Sequence, residues 1–186
     1  IETTFGEDPG GINLDSRANL MRLDAAKHAA YDATGGHCAI VPELPLLTKL
    51  YTALEDKEVQ DWDKDRPPHK NAAGFIHHEE VFPLDGTGRV FHFVPTMNWD
   101  KNHWITVTKR LSNGEDETTP YQAPFTDPED GSPLLPPMIL HCSPYFVVYK
   151  TYQVLVRTNA RLPAWAHGEE MLVRLIGDIM TGKTAP

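Results

Sequence analysis

The sequence predicts an α+β fold, a helix-dominated single domain with a small antiparallel sheet and long proline-rich loops. Three observations lead there. Apolar residues recur at three- and four-residue spacing around residues 20–31, 45–64 and 169–180, the period of amphipathic helices, and 144–156 opens with a helix start and is apolar nearly all round. Short β-branched and aromatic runs at 37–42, 89–95 and 103–109 have the length and composition of strands. Sixteen prolines among 186 residues, well above average usage, put much of the remainder into loops. With 40% hydrophobic and 23% charged residues, the chain has the make-up of a globular protein able to bury a substantial core.

The first helix runs over Asn19–Asp32. Leu20, Leu23, Ala26, Ala30 and Tyr31 form its apolar face, Asp15 and Ser16 are candidate N-caps, and Gly35-Gly36 ends it. Its other face is unusual. Asp24, His28 and Asp32 stand at i, i+4 and i+8, so a carboxylate, an imidazole and a second carboxylate share one ridge. Two oxygens and a neutral imidazole suit a divalent metal ion. The same spacing also fits a solvated helix face on which His28 makes ordinary salt bridges.

The pattern Asn19-Leu20-x-x-Leu23-x-x-x-x-His28-x-x-Tyr31-Asp32, followed by His37-Cys38-Ala39-Ile40-Val41-Pro42, resembles the second half of an HNH (His-Me finger) nuclease motif of the fungal type. The resemblance spans residues 13–42 and implies part of a ββα-metal unit. It implies that Asn19 fixes the hairpin, that His28 binds a divalent ion (Mg, Mn or Zn), and that Asp32 stands where bacterial toxin relatives carry a second ligand histidine. The family's first histidine, the general base, lies upstream of the asparagine. Here Ile1–Ala18 contains no histidine and is rich in turn formers. Asp24 and Lys27 occupy the spacings at which some relatives carry zinc-knuckle cysteines.

Beyond this motif, residues 43–111 read as a helix followed by a hairpin. The helix over 45–64 has Leu47, Leu50, Tyr51, Leu54 and Trp62 on its apolar side and acidic residues opposite. His77-His78-Glu79-Glu80 is the densest group of potential ligands and acid–base residues. On a strand it would split two and two between opposite faces; an exposed loop or edge strand is the other reading. Residues 89–95 and 103–109 then predict an antiparallel pair joined by 96–102, with His92 and His103 as further candidates for a base. Residues 112–137, with Pro120, Pro124, Pro128, Pro133, Pro136 and Pro137, predict a long loop, either a lid, an arm or a packed wrap. Residues 138–186 read as C-terminal helices. Ser143-Pro144 opens a helix that is apolar around most of its circumference. The last helix, 169–180, turns Met171, Leu172, Leu175, Ile176 and Ile179 inward.

Twenty-six acidic against 17 basic residues give a formal net charge of −9. Phosphate neutralisation supplies most nucleic-acid affinity, so this balance disfavours nucleic acid as a partner and suits a small-molecule ligand better. No apolar run approaches a membrane span, which predicts a soluble protein without a membrane partner. The start at Ile1, with neither Met nor a targeting pattern, reads as a processed or truncated product. Cys38 and Cys142 fit either two buried thiols or one disulfide.

Three functions follow as expectations. One is a metal-dependent HNH-type nuclease or phosphodiesterase, with His28, Asn19, His77 and His78 in the chemistry and His28, Asp32 and Asp24 on the metal. The second is an HNH-derived binding module without activity. The third is an HNH-derived enzyme on a small molecule, with the Asp24/His28/Asp32 ridge and His77 or His78 lining a pocket under the 112–137 loop.

Overall fold

Cys38–Pro42 is an apolar run with every side chain buried, and it forms strand β1. The computed structural model describes residues 3–7, 36–57, 67–83 and 86–183. Asn19, Asp24, His28 and Asp32, with the whole first predicted helix, lie outside the described residues. β1 pairs antiparallel with β2 (Arg89–Pro95), from Cys38 opposite Pro95 to Pro42 opposite Phe91. On its other side β2 pairs antiparallel with β5 (Met138–Leu140). The fold class is α+β, as the patterning predicts.

The predicted hairpin over 89–109 does not form. Phe91 and Phe93–Pro95 are buried while Arg89, Val90 and His92 are half-buried, so β2 needs partners on both edges and becomes the central strand. The run at 103–109, observed as β3 (Trp104–Arg110), buries only Ile105 and carries exposed polar groups. It pairs instead with β4 (Asp116–Gln122) as a two-stranded ribbon, Trp104 opposite Gln122 and Arg110 opposite Asp116. The expected 112–137 loop is therefore partly a strand. The connection closes through Leu111 N–H donating to the Glu115 carbonyl at 2.8 Å, with Gly114 at φ +85° in a conformation that glycine adopts without strain. Pro120 is tolerated because, among the described residues, β4 has no second neighbour to receive its missing N–H.

Four helices complete the described structure: α1 (Leu44–Glu55), α2 (His78–Val81), α3 (Pro144–Arg157) and α4 (His167–Thr181). α1 buries Leu47, Leu50, Ala53 and Leu54 and ends at Glu55; the predicted continuation through 58–64 is outside the described residues. α3 lies along β1, where Thr151 Oγ1 donates to the Ile40 carbonyl at 2.6 Å. Ser143 is at its N-cap, yet its hydroxyl makes no cap hydrogen bond. In α4 the buried stripe is Glu170, Val173, Ile176, Gly177 and Met180. Met171, predicted inward, is 60% exposed, because the stripe is rotated round the helix from the one expected. Gly182 (φ +68°) closes α4. Its N–H donates to the Ile179 carbonyl and that of Lys183 to the Asp178 carbonyl, a Schellman stop.

The sheet divides the interior. Ala39, Val41 and Val94 face one core with Leu47, Leu50, Tyr145, Val148, Tyr152 and Ile176. Cys38, Ile40, Phe91 and Phe93 face a second with Ile105, Phe125, Leu135 and Leu140. Cys38 and Cys142 are both buried thiols in this second core. Burial pushes the Cys142 thiol up to about 11. Among the described residues no helix is long and apolar enough to cross a membrane.

Candidate metal centre

Residues 74–83, read from sequence as a strand or exposed loop, belong to a segment over 67–83 that is a tight bend leading into a single helical turn. A bridge between Lys70 and Ile76 closes the bend, and Asn71 braces it, its Oδ1 accepting from Ala73 N–H at 3.0 Å and Phe75 N–H at 3.1 Å. His77 then caps α2, its Nδ1 accepting from Glu79 N–H at 3.3 Å. Because residues 77 and 78 straddle the helix start, their side chains do not alternate as on a strand. The two imidazoles stack, with ring centroids 4.9 Å apart and planes 19° apart. Glu79 is exposed, and Glu80 turns back to accept His69 N–H through Oε2 at 2.6 Å.

The third member comes from the other end of the chain. Thr3–Phe5 forms a 3-10 turn whose Phe5 ring is fully buried against Tyr145 and Phe146, each with its ring centroid 5.0 Å away. Gly6, at φ +77°, lies so close to His77 N and the Ile76 carbonyl that a Cβ would not fit. This close approach carries Glu7 onto the imidazole pair, and Asn71 Nδ2 donates to the Glu7 carbonyl at 3.3 Å. Glu7 Oε1 lies 2.8 Å from His77 Nε2 and 3.6 Å from His78 Nε2. One donor atom from each of the three side chains falls within 4.8 Å of the others.

The two histidines differ in environment. His77 is about one-quarter exposed and Glu7 about one-fifth, so that side of the cluster meets solvent. His78 is only 5% exposed, held among Phe5, Tyr145 and Phe146, and its Nδ1 has no hydrogen-bond partner among the described residues. Burial, seconded by the neighbouring His77, lowers its pKa to about 4, so it is a neutral imidazole at physiological pH. Two neutral imidazole nitrogens and a carboxylate are the donors divalent transition ions take, and three protein ligands leave positions open for water or substrate.

Of the residues singled out from sequence, His77 and His78 come together here, while Asn19, Asp24, His28 and Asp32 lie outside the described residues. His92 packs edge-on to Trp165, and His103 pairs with Asp100 at 3.2 Å on the surface; neither joins the cluster. Sequence reasoning missed Glu7. It sits in a turn-rich run, and only the Phe5 anchor, a lone aromatic beside Gly6, hinted that this segment docks. No protein-family model matches this chain, and none of the curated proteins or solved structures compared with it does.

Proposed function

We propose that this protein is a divalent-metal-dependent hydrolase of phosphodiester bonds, of HNH type or descended from it. The observation that carries the metal dependence is the convergence of Glu7, His77 and His78 on one ion-sized group with an open side. The reaction class rests on the resemblance carried by Asn19, His28 and Asp32. In that scheme Asn19 holds local backbone, His28 with Asp32 or Asp24 serves a metal, and another histidine supplies the base that the upstream segment lacks. A bound divalent ion supplies Lewis-acid stabilisation of charge on the leaving oxygen. Support also comes from β1, the buried strand found where the HNH pattern continues after its helix.

The net charge of −9 favours a second reading, in which the descendant no longer cuts nucleic acid and acts on, or merely binds, a small molecule. One experiment separates them. Plasmid DNA and bis(p-nitrophenyl) phosphate are each incubated with the chain and Mg²⁺, Mn²⁺ or Zn²⁺, beside His28→Ala. Metal-dependent cutting of both substrates, lost in the variant, supports the nuclease. Hydrolysis of the small ester alone supports the small-molecule descendant, and hydrolysis of neither sinks the hydrolase reading.

A further inference from the structure

We infer that Glu7, His77 and His78 bind one borderline transition ion, of the zinc, cobalt or manganese kind, and that this group is the chain's principal metal site. The inference rests on the metal dependence proposed above, which this same group carries, and leaves the reaction class aside. Its ligands are not those which the HNH resemblance implies.

The donor set decides the class of ion. Magnesium and calcium select all-oxygen shells, whereas imidazole nitrogen suits zinc, cobalt, nickel and iron, and one carboxylate beside two imidazoles fits these and manganese. The spacing agrees. Donors about 2.0–2.1 Å from a tetrahedral ion lie about 3.4 Å from one another. Here Glu7 Oε1 stands 2.8 Å and 3.6 Å from the two Nε2 atoms, on either side of that separation.

His78 supplies an independent observation. It is an imidazole in an aromatic slot, with Nδ1 unpartnered among the described residues and Nε2 beyond hydrogen-bond reach of Glu7. Burying such a polar group without a partner is unfavourable. An ion on Nε2, the atom turned towards Glu7, gives that nitrogen a partner and leaves the ring proton on Nδ1. His77 must adjust as well. With Nδ1 accepting from Glu79 N–H, its proton sits on Nε2 and points at Glu7. On loading, the ion takes the place of that proton, which moves to Nδ1. The 3.3 Å contact with Glu79 is then given up.

The ion also closes a long chain loop, because Glu7 is seventy positions before His77 and is carried there by Phe5 and Gly6. Loading therefore tightens the N-terminal segment against α2, as metal sites that join distant segments do.

The test uses the full chain stripped with chelator and titrated with Co²⁺, then Zn²⁺, with excess Mg²⁺ present throughout. Metal per chain and the visible cobalt spectrum are read for wild type, Glu7→Gln, His77→Ala and His28→Ala. Glu7 and His77 are partly exposed, so their variants are expected to fold, which circular dichroism checks. The expected result is at least one equivalent of Co²⁺, displaced by Zn²⁺ but not by Mg²⁺, with that equivalent lost or weakened at least tenfold in Glu7→Gln and His77→Ala. Absence of stoichiometric binding overturns the inference. So does loss of binding in His28→Ala with retention in His77→Ala, which leaves the HNH reading standing. Binding sensitive to His77 but without phosphodiester hydrolysis supports the inference and sinks the proposed function instead.

Discussion

His78 and Glu170 are buried ionisable side chains, and both make the fold sensitive to acid. His78 is neutral in its aromatic slot, with a pKa of about 4 against an ordinary 6.5. Between these values the unfolded chain binds a proton that the folded chain does not, so stability falls as pH drops from about 6.5 to 4. The integrated loss is about 3 kcal/mol. Urea unfolding in the presence of chelator should show this slope in wild type, and His78→Phe, which suits the slot and cannot protonate, should flatten it. Equal slopes would show that His78 is not buried as described. Glu170, 3% exposed, behaves differently. Burial alone would raise its carboxyl, but Leu162 N–H at 2.7 Å, Arg174 at 2.9 Å and Arg161 at 3.3 Å together hold it below the ordinary range. Its contribution is complete above the unfolded value and is lost as pH falls through the lowered folded one. Glu170→Gln should cost about 1–3 kcal/mol near neutral pH, because the buried carboxylate loses the charge that its hydrogen bonds from Leu162 N–H and the half-buried Arg174 hold. Thermal unfolding checks it, and a change under 0.5 kcal/mol, about the size of an ordinary surface substitution, would refute it.

The crossing of α3 and α4 depends on one missing side chain. Gly177 faces the Tyr152 ring so closely that a Cβ would overlap it, while the Tyr152 hydroxyl donates to Asp178 Oδ1 at 2.6 Å and accepts from Lys183 Nζ at 3.0 Å. Gly177→Ala should therefore destabilise by about 1–3 kcal/mol, the usual range for overpacking, despite alanine's better helix propensity. Gly168→Ala in the same helix meets nothing within 4 Å and should be neutral or stabilising by up to about 1 kcal/mol. Paired melting curves test the contrast, and equal effects would refute it. α1, α3, α4 and β1 were legible in the sequence because their apolar runs are strong, whereas the single turn of α2 was read as a strand or loop. β4 was not legible, since Asp116-Glu117-Thr118-Thr119-Pro120 has no apolar alternation and is a strand only because β3 lies beside it. β3 itself was legible, but its partner was not; pairing depends on which strand must be buried on both edges, a property of the whole sheet. His77-His78 stood out as ligands for their chemistry alone. Glu7 joins them through a glycine approach that spacing along the chain does not encode.

Across the molecule, β1 and β2 contribute side chains to both cores, so neither core persists when the sheet is lost. Trp165 packs against one core and Trp99 against the other, which gives each its own fluorescent reporter. Leu50→Ala in the first core and Ile40→Ala in the second should each cost about 3 kcal/mol. Each should lower a single transition seen alike by tryptophan fluorescence and far-ultraviolet circular dichroism. Two separated transitions would show the cores to be independent. The Phe5 anchor has a consequence of another kind. A backbone cut just after Glu7 would leave Thr3–Glu7 on a separate peptide, which among the described residues is held by an aromatic plug, by Asn71 and by the Glu7 carboxylate on His77 rather than by covalent linkage. The two fragments would then form a complementation pair whose reassociation reads out, in trans, how well that plug fits.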